Sequence, residues 1–357
     1  MQSIRIATLL GDGIGPDVVR ATMRVLERAG SNRGIDVEFS VLPSGLAAIE
    51  TNGSTLPEST IEQLQSYPGW ILGPVSHHIY PQGDSRYINP SGYLRKRFDL
   101  YANIRPSRAF EGVPSLYSDV DLVVVRENTE GFYADRNVLD GNGEFRPNED
   151  TVISLRVITR TACLRIAKQA FLLAEQRAGK RKVSAIHKAN VLRKGDGLFL
   201  ECCREVASEY PEITLEDYHI DAFAMHLVTR PQDIDVVVTT NMFGDILSDE
   251  AAGLVGGLGM APGLNAGRSY AMAQAVHGSA PDIEHLHVAN PVSVILSGKL
   301  LLEWLSERES VPELGKVAED VERAVSKTLA EGRALTPDLG GRANTTEMTQ
   351  AILENVS

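Results

Sequence analysis

The chain has 357 residues, 43% of them hydrophobic, enough for the core of one large α/β unit or of two lobes. Its 35 basic and 47 acidic residues leave a net charge of -12, which argues against nucleic acid or an acidic membrane surface as the main partner. A small acidic substrate stays open, because a locally basic pocket or a bound cation can outweigh a negative surface. Cys163, Cys202 and Cys203 have neither CxxC spacing nor the even count of a disulfide framework, so they read as reduced intracellular thiols. The start, MQSIRIATLLGDG, reads as a strand meeting glycine and not as a signal peptide, and no apolar run reaches the length of a membrane span. A soluble cytoplasmic protein is expected.

In chain order, β-branched runs alternate with helical patterns. SIRIATLL is followed by the amphipathic DVVRATMRVLERAG and then by DVEFSVL; GWILG, DLVVVRE, KVSAIHK, TLEDYHID and DVVVTT continue the pattern. This is α/β syntax. The interval 137–160 breaks it with a glycine-rich turn region and the β-rich TVISLRVITR, and reads either as an arm that pairs with another subunit or as a solvent-exposed hairpin. ERESVPELG near the end reads as a helix–helix connection.

The first glycine motif, GDGIGPDVV, follows a strand and opens a helix with Pro16 well placed at its start. It does not match G-x-G-x-x-G, and its residues leave both an anion-facing loop and a tight βα turn open. Three arginines say more. Arg95 and Arg105 in LRKRFDLYANIRP flank a helix end and the next strand, and Arg126 lies at the carboxyl end of DLVVVRE. Ligands of open α/β sheets gather at such ends, and three guanidiniums can grip two carboxylates of one small acid. The alternative is solvated arginines beside Asp99 or Glu127. Lys188, just past a strand, and Tyr133, in the loop after Arg126, are a candidate base and proton donor by residue type, although each type more often lies at a surface or core edge.

In TTNMFGDILSDEAAG, Asp245 and Asp249 stand four apart on one helical face. Like charges so placed cost a helix a few tenths of a kcal/mol, about what proximity of Asp245 to the helix N-terminus returns. A divalent cation turns this conflict into a site, and Asp221, at another strand-to-helix junction, is a third carboxylate. Oxygen ligands without cysteine or histidine suit Mg²⁺ or Mn²⁺. Paired acids with no metal remain the alternative.

GDGIGPDVV, LRKRFDLYANIRP, VVVRENTEGFY, HKANVL, TTNMFGDILSDEAAGLVGGLGMAPG, HGSAPDI, ANP and TPDLGG occur in this order and span nearly the whole chain. Together they resemble the isocitrate and isopropylmalate dehydrogenase family of NAD(P)-dependent β-decarboxylating dehydrogenases. The resemblance implies a two-lobed α/β fold with a central sheet flanked by helices, not a Rossmann fold. One lobe would comprise residues 1–99 and 254–357, facing the cofactor; the other, 100–253, would carry substrate, metal and dimer contacts.

It further implies that Arg95, Arg105 and Arg126 hold the malate-like core of the substrate and that Asp245 and Asp249, with Asp221 of a neighbouring subunit, bind Mg²⁺ or Mn²⁺. Lys188, also from the neighbour, would remove the hydroxyl proton, and Tyr133 would protonate the enol carbon. His277, Gly278, Ser279, Ala280, Asp282, Ile283 and Asn290 match the adenosine-binding segment. The carboxylate of Asp282 favours NAD over NADP, since it can accept from both ribose hydroxyls and repels a 2′-phosphate. GDGIGP becomes a structural turn near the cofactor cleft, and a homodimer with shared sites is expected.

Substrate choice in the family depends on the segment before Arg95. Isopropylmalate enzymes usually offer a leucine pair there; this chain has Asn89, Ser91 and Gly92, which suit a second carboxylate or a hydroxyl better than a branched alkyl group. Homoisocitrate, isocitrate and tartrate or D-malate are therefore favoured, with 3-isopropylmalate as the alternative. A non-catalytic regulatory subunit is the rival from another class, expected to have lost some of the acid–base and metal residues that are all present here. Gln274 in place of the common glutamate, and EHLHVANP in place of a glycine-containing loop, are the departures, with cofactor affinity the property they would alter.

Overall fold

A computed structural model describes residues 2–133, 143–177 and 179–357. In chain order the elements are β1 (Gln2–Leu9), α1 (Gly15–Asn32), β2 (Ile35–Val41), α2 (Gly45–Asn52), α3 (Glu58–Leu64), β3 (Gly69–Leu72), α4 (Pro90–Arg97), β4 (Ala102–Arg108) and β5 (Asp121–Glu127). β6 (Glu144–Asn148), β7 (Thr151–Ser154), α5 (Arg160–Arg177), β8 (Lys182–His187), α6 (Gly195–Ala207), β9 (Thr214–His219), α7 (Ile220–Thr229), β10 (Val236–Thr239) and α8 (Asn241–Leu254) follow. The chain ends with β11 (Leu264–Ala266), β12 (Ala271–Ala273), α9 (Val292–Arg308), α10 (Pro312–Glu331) and α11 (Thr345–Asn355). Among the described residues no helix is long and apolar enough to cross a membrane.

Ten strands form one mixed sheet in the order β2-β1-β3-β12-β11-β4-β5-β10-β8-β9. Pairing is parallel from β2 to β12, antiparallel across β12–β11, β11–β4 and β4–β5, and parallel again from β5 to β9. The two parallel blocks therefore run in opposite directions, joined by an antiparallel centre. β5 and β10 read as valine runs because both their faces are covered by helices.

Period-two alternation sorts the sheet residues into two layers. On one face Ile6, Ile104, Val123 and Val125 pack with α1, α5, α6, α9, α10 and α11. On the other, Leu9, Trp70 and Leu72 pack with Leu94 and Phe98 of the α4 region, while Leu122, Val124 and Val237 pack with Phe223 of α7 and Leu247 of α8. The expected arm appears in part: β6 and β7 pair as an exposed antiparallel ribbon, with Phe145 and Val152 half exposed. Residues 137–142 of that arm lie outside the described residues. β11 and β12 were not signalled by the sequence, since three-residue strands are too short to display alternation.

The GDGIGP turn is built for close approach. Gly11 and Gly13 have φ of 74° and 59°, and a Cβ on Gly13 would lie 2.0 Å from the Ser279 carbonyl oxygen. Asp12 N donates to the Pro74 carbonyl (2.8 Å) and Ile14 N to that of Ser279 (2.9 Å), so these amides are engaged within the protein. The buried Asp12 carboxylate accepts from Leu46 N at 2.6 Å, Ser76 N at 2.8 Å and the Tyr80 hydroxyl. Burial and the adjacent carboxylate push the Tyr80 phenol up.

In α8, Gly244 faces β5. A Cβ there would lie 2.6 Å from both Cβ and Cγ of Arg126, whereas one on Gly253 of the same helix would meet nothing. Gly244→Ala should therefore cost about 1–3 kcal/mol through overpacking, and Gly253→Ala should be neutral or stabilising by up to about 1 kcal/mol. Urea unfolding of both variants checks this, and equal effects would refute the packing account. Asp12→Ala, which strands buried donors, should lose about 3 kcal/mol or more; a loss under about 1 kcal/mol would show that the acid is dispensable.

Candidate active site

The antiparallel register that pairs Arg105 with Val124 and Arg126 with Asn103 puts both arginines on the sheet face covered by α8. Arg126 is 2% exposed. Its Nε and Nη2 donate to Asn241 Oδ1 at 2.9 and 2.7 Å, and its Nη1 is ion-paired with Asp245. Asn241, the first residue of α8, is itself oriented by donation to the Glu130 carbonyl at 2.9 Å. Arg105 Nη1 donates to Ser248 Oγ at 2.7 Å and lies 3.2 Å from Asp245 and 3.4 Å from Asp249, while its Nε donates to Asn103 Oδ1 at 3.1 Å. The Tyr133 hydroxyl donates to the other Asp245 oxygen at 3.1 Å.

The electrostatics follow from this crowding. Burial, with Arg126 beside it, pulls the Arg105 guanidinium down to about 10, so it stays charged at neutral pH. Burial alone would raise Asp245, but Arg126 and Arg105 outweigh it and hold that carboxyl below its ordinary range. Asp249 moves the other way: burial raises it, the charge of Asp245 adds to the rise, and Arg105 compensates only in part. The pair is thus an oxygen-only donor set in which Asp249 is short of positive charge, the chemistry that a hard divalent cation fits.

Arg95 reaches the site from α4. Its Nη2 donates to Gln274 Oε1 at 2.9 Å, and the same oxygen accepts from Ser91 Oγ at 2.8 Å. Asn89 caps the helix by accepting from Ser91 N and Gly92 N, so its side-chain oxygen is spent on backbone. Asp99 and Glu127, weighed as partners of these arginines, are held elsewhere: Asp99 pairs with Arg165 at 2.9 Å, and Glu127 accepts from Thr129 N and Glu130 N at 2.9 Å each.

Lys188 follows β8 and Asp221 sits in the first turn of α7, where the two form an ion pair with each other. The Asp221 side chain is 70% exposed, and its carboxyl is lowered chiefly by the hydrogen bond from Lys188. Within one chain this pair does not join Asp245 and Asp249; among the described residues no group of three or more acidic, histidine or cysteine side chains is placed to hold a metal ion.

The segment after β12 packs against the GDGIGP turn. His277 Nδ1 lies 2.8 Å from the Gly278 carbonyl, its Nε2 is buried without a partner among the described residues, and burial pulls its pKa down. Because Nδ1–H donates to that carbonyl, the neutral ring leaves the orphaned Nε2 as an acceptor for a ligand group. Ser279 Oγ accepts from Ser76 Oγ at 2.6 Å, Ala280 has φ of 40°, and Asp282 is exposed just before the half-buried Ile283. Asn290 donates to Asp338 at 3.0 Å and accepts from Val292 N at 3.0 Å, just before α9. In the loop that departs from the family, His287 has φ of 54° and a ring nitrogen 2.6 Å from the Asp17 carboxylate.

Several polar residues here were missed by sequence reasoning. Asn241 directly precedes the MFGD run and Asp338 lies in TPDLGG, so the one signal is that both sit within the ordered family motifs. The sequence marks Gln274 only as a departure bearing on the cofactor; the fold puts it between Ser91 and Arg95.

The sequence profile described as isocitrate/isopropylmalate dehydrogenase matches residues 5–352. The chain is 43% identical over 356 residues to a 3-isopropylmalate dehydrogenase of Methanothermobacter thermautotrophicus, covering 100% of this chain and 99% of that protein. It is 42% identical over 350 residues to an isocitrate/homoisocitrate dehydrogenase of Thermus thermophilus, covering 98% of each. The crystal structure of isocitrate dehydrogenase from Methylococcus capsulatus superposes with a TM-score of 0.88 at 41% identity and 99% coverage of both chains. This chain therefore belongs to the isocitrate/isopropylmalate dehydrogenase family, β-decarboxylating dehydrogenases that act on hydroxy acids with NAD(P) and a divalent metal.

Proposed function

We propose that the chain catalyses NAD-linked oxidative decarboxylation of a malate-type 2-hydroxy acid bearing a 3-carboxylate, of the isocitrate, homoisocitrate, tartrate or D-malate class. The observation that carries this is the convergence of Arg105, Arg126 and the Tyr133 hydroxyl on Asp245, with Arg95 adding to the positive field on the same carboxylate. Such a field suits a dianionic core. The α4 wall beside it is polar: Ser91 is buried and bonded to Gln274, and Gly92 adds no side chain. A second reading, 3-isopropylmalate, is favoured by the name of the Methanothermobacter relative.

Asp245 and Asp249, with Asp221 of a second copy, would hold Mg²⁺ or Mn²⁺. Bound metal supplies polarisation of the hydroxyl and its neighbouring carboxylate, and bound NAD supplies the hydride acceptor. Lys188 of the second copy takes the hydroxyl proton, the three arginines hold the carboxylates in place, and the Tyr133 hydroxyl delivers a proton to the enol carbon. His277, Gly278, Ser279, Ala280, Ile283 and Asn290 form the adenosine side, and the exposed Asp282 selects NAD by accepting from ribose and repelling a 2′-phosphate.

A dimer is supported by apolar side chains left at the surface of the helices next to this site: Met225 and Val228 of α7 and Ile246 of α8 are 55%, 44% and 57% exposed. It would give the exposed Lys188–Asp221 pair a second site to complete. The lobes would divide as 1–99 with 254–357 and 100–253, meeting at the antiparallel β11–β4 pair.

NAD reduction with Mn²⁺ should be at least about tenfold higher in kcat/KM for one of isocitrate, homoisocitrate, D-malate or tartrate than for 3-isopropylmalate. Chelation should abolish it, and NADP should be the poorer acceptor. A tenfold margin in favour of 3-isopropylmalate would replace the first reading with the second. Lys188→Ala should lower kcat by roughly 10²–10⁴; turnover near the wild-type rate would remove the lysine from the mechanism.

A further inference from the structure

Strand alternation gives the substrate arginines a reverse side. While Arg105 and Arg126 face α8, Ile104, Pro106 and Arg108 of β4 and Asp121 and Val123 of β5 point the other way, into a cavity of about 480 Å³ between α5 and α9. Its volume lies in the range of small-molecule sites. Phe110, Leu173, Met260, Leu300 and Trp304 give it an apolar wall.

The polar groups at this cavity are unequal in sign: Arg108, Arg177 and Lys299 against Asp121, Glu303, Glu307 and Glu322. Every cation already has a carboxylate. Arg108 is paired with Glu322, Lys299 with Glu322 at 2.7 Å and Glu303 at 2.9 Å, and Arg177 with Asp121 at 2.8 Å. Among the described residues Glu307, exposed at the cavity's edge, receives only the neutral Gln176 amide, at 3.0 Å. An entering anion finds only cations that already hold a carboxylate, whereas an entering cation finds Glu307.

We propose that this rear cavity binds a small amphipathic cation, with its aliphatic body against Leu173, Leu300 and Trp304 and its ammonium group at Glu307. The site is separate from that of the anionic substrate, and its ligand rests on the reverse side of the two strands that carry Arg105 and Arg126.

Calorimetric titration of the full chain with n-pentylammonium, and with pentanoate as the matched anion, tests this without relying on the proposed reaction. Saturable binding of pentylammonium is expected, with pentanoate at least about tenfold weaker. Glu307→Gln should weaken binding about fivefold or more. Leu173→Phe, or Leu300→Phe if the first does not fold, should abolish it. Saturating malate-type acid with Mg²⁺ should leave it in place. No binding of pentylammonium, equal binding of pentanoate, undiminished binding by Glu307→Gln or by the cavity-filled variants, or displacement by the hydroxy acid would each overturn the proposal.

Discussion

The structure turns on the burial of two guanidiniums beneath α8. A buried charge is tolerated only with a paired, hydrogen-bonded partner, and losing that partner costs about 3–5 kcal/mol. Arg105 and Arg126 meet this demand with one shared carboxylate, Asp245, and with neutral acceptors from Asn103, Asn241 and Ser248. Asp245 is consequently held ionised, while Asp249 remains a carboxylate with too little positive charge near it. In our proposal that residual imbalance is what metal and substrate resolve.

The sheet makes this arrangement possible. Because its parallel blocks run in opposite directions, the junction strands β4 and β5 lie at the centre, with α4 on one side of the substrate face and α8 on the other. Close contact between α8 and β5 depends on the missing side chain of Gly244. The same two strands present their alternate residues to the rear cavity, so one pair of strands forms a wall of both spaces.

Much of this was legible in the sequence. Valine runs marked the central strands, Pro16 and the amphipathic run DVVRATMRVLERAG marked α1, and the ordered motifs pointed to the family. Other features depend on tertiary contacts that no local pattern encodes. Gln274 meets Ser91 and Arg95 only through the pairing of β12 with β3, Asn290 meets Asp338 across the C-terminal helices, and β11 and β12 are too short to display a period. The separation of Lys188 and Asp221 from the Asp245 cluster is likewise a property of the folded chain, and in our reading it is why the site needs two copies.

That shared site is the central claim, and co-expressed Lys188→Ala and Asp245→Asn chains test it most directly. Each variant alone should be inactive. If the lysine of one copy serves the aspartates of the other, random pairing makes half of the dimers mixed, each with one intact site, so the mixture should recover about a quarter of wild-type activity. A mixture as inactive as its parents, with mixed dimers verified by mass spectrometry, would contradict the account.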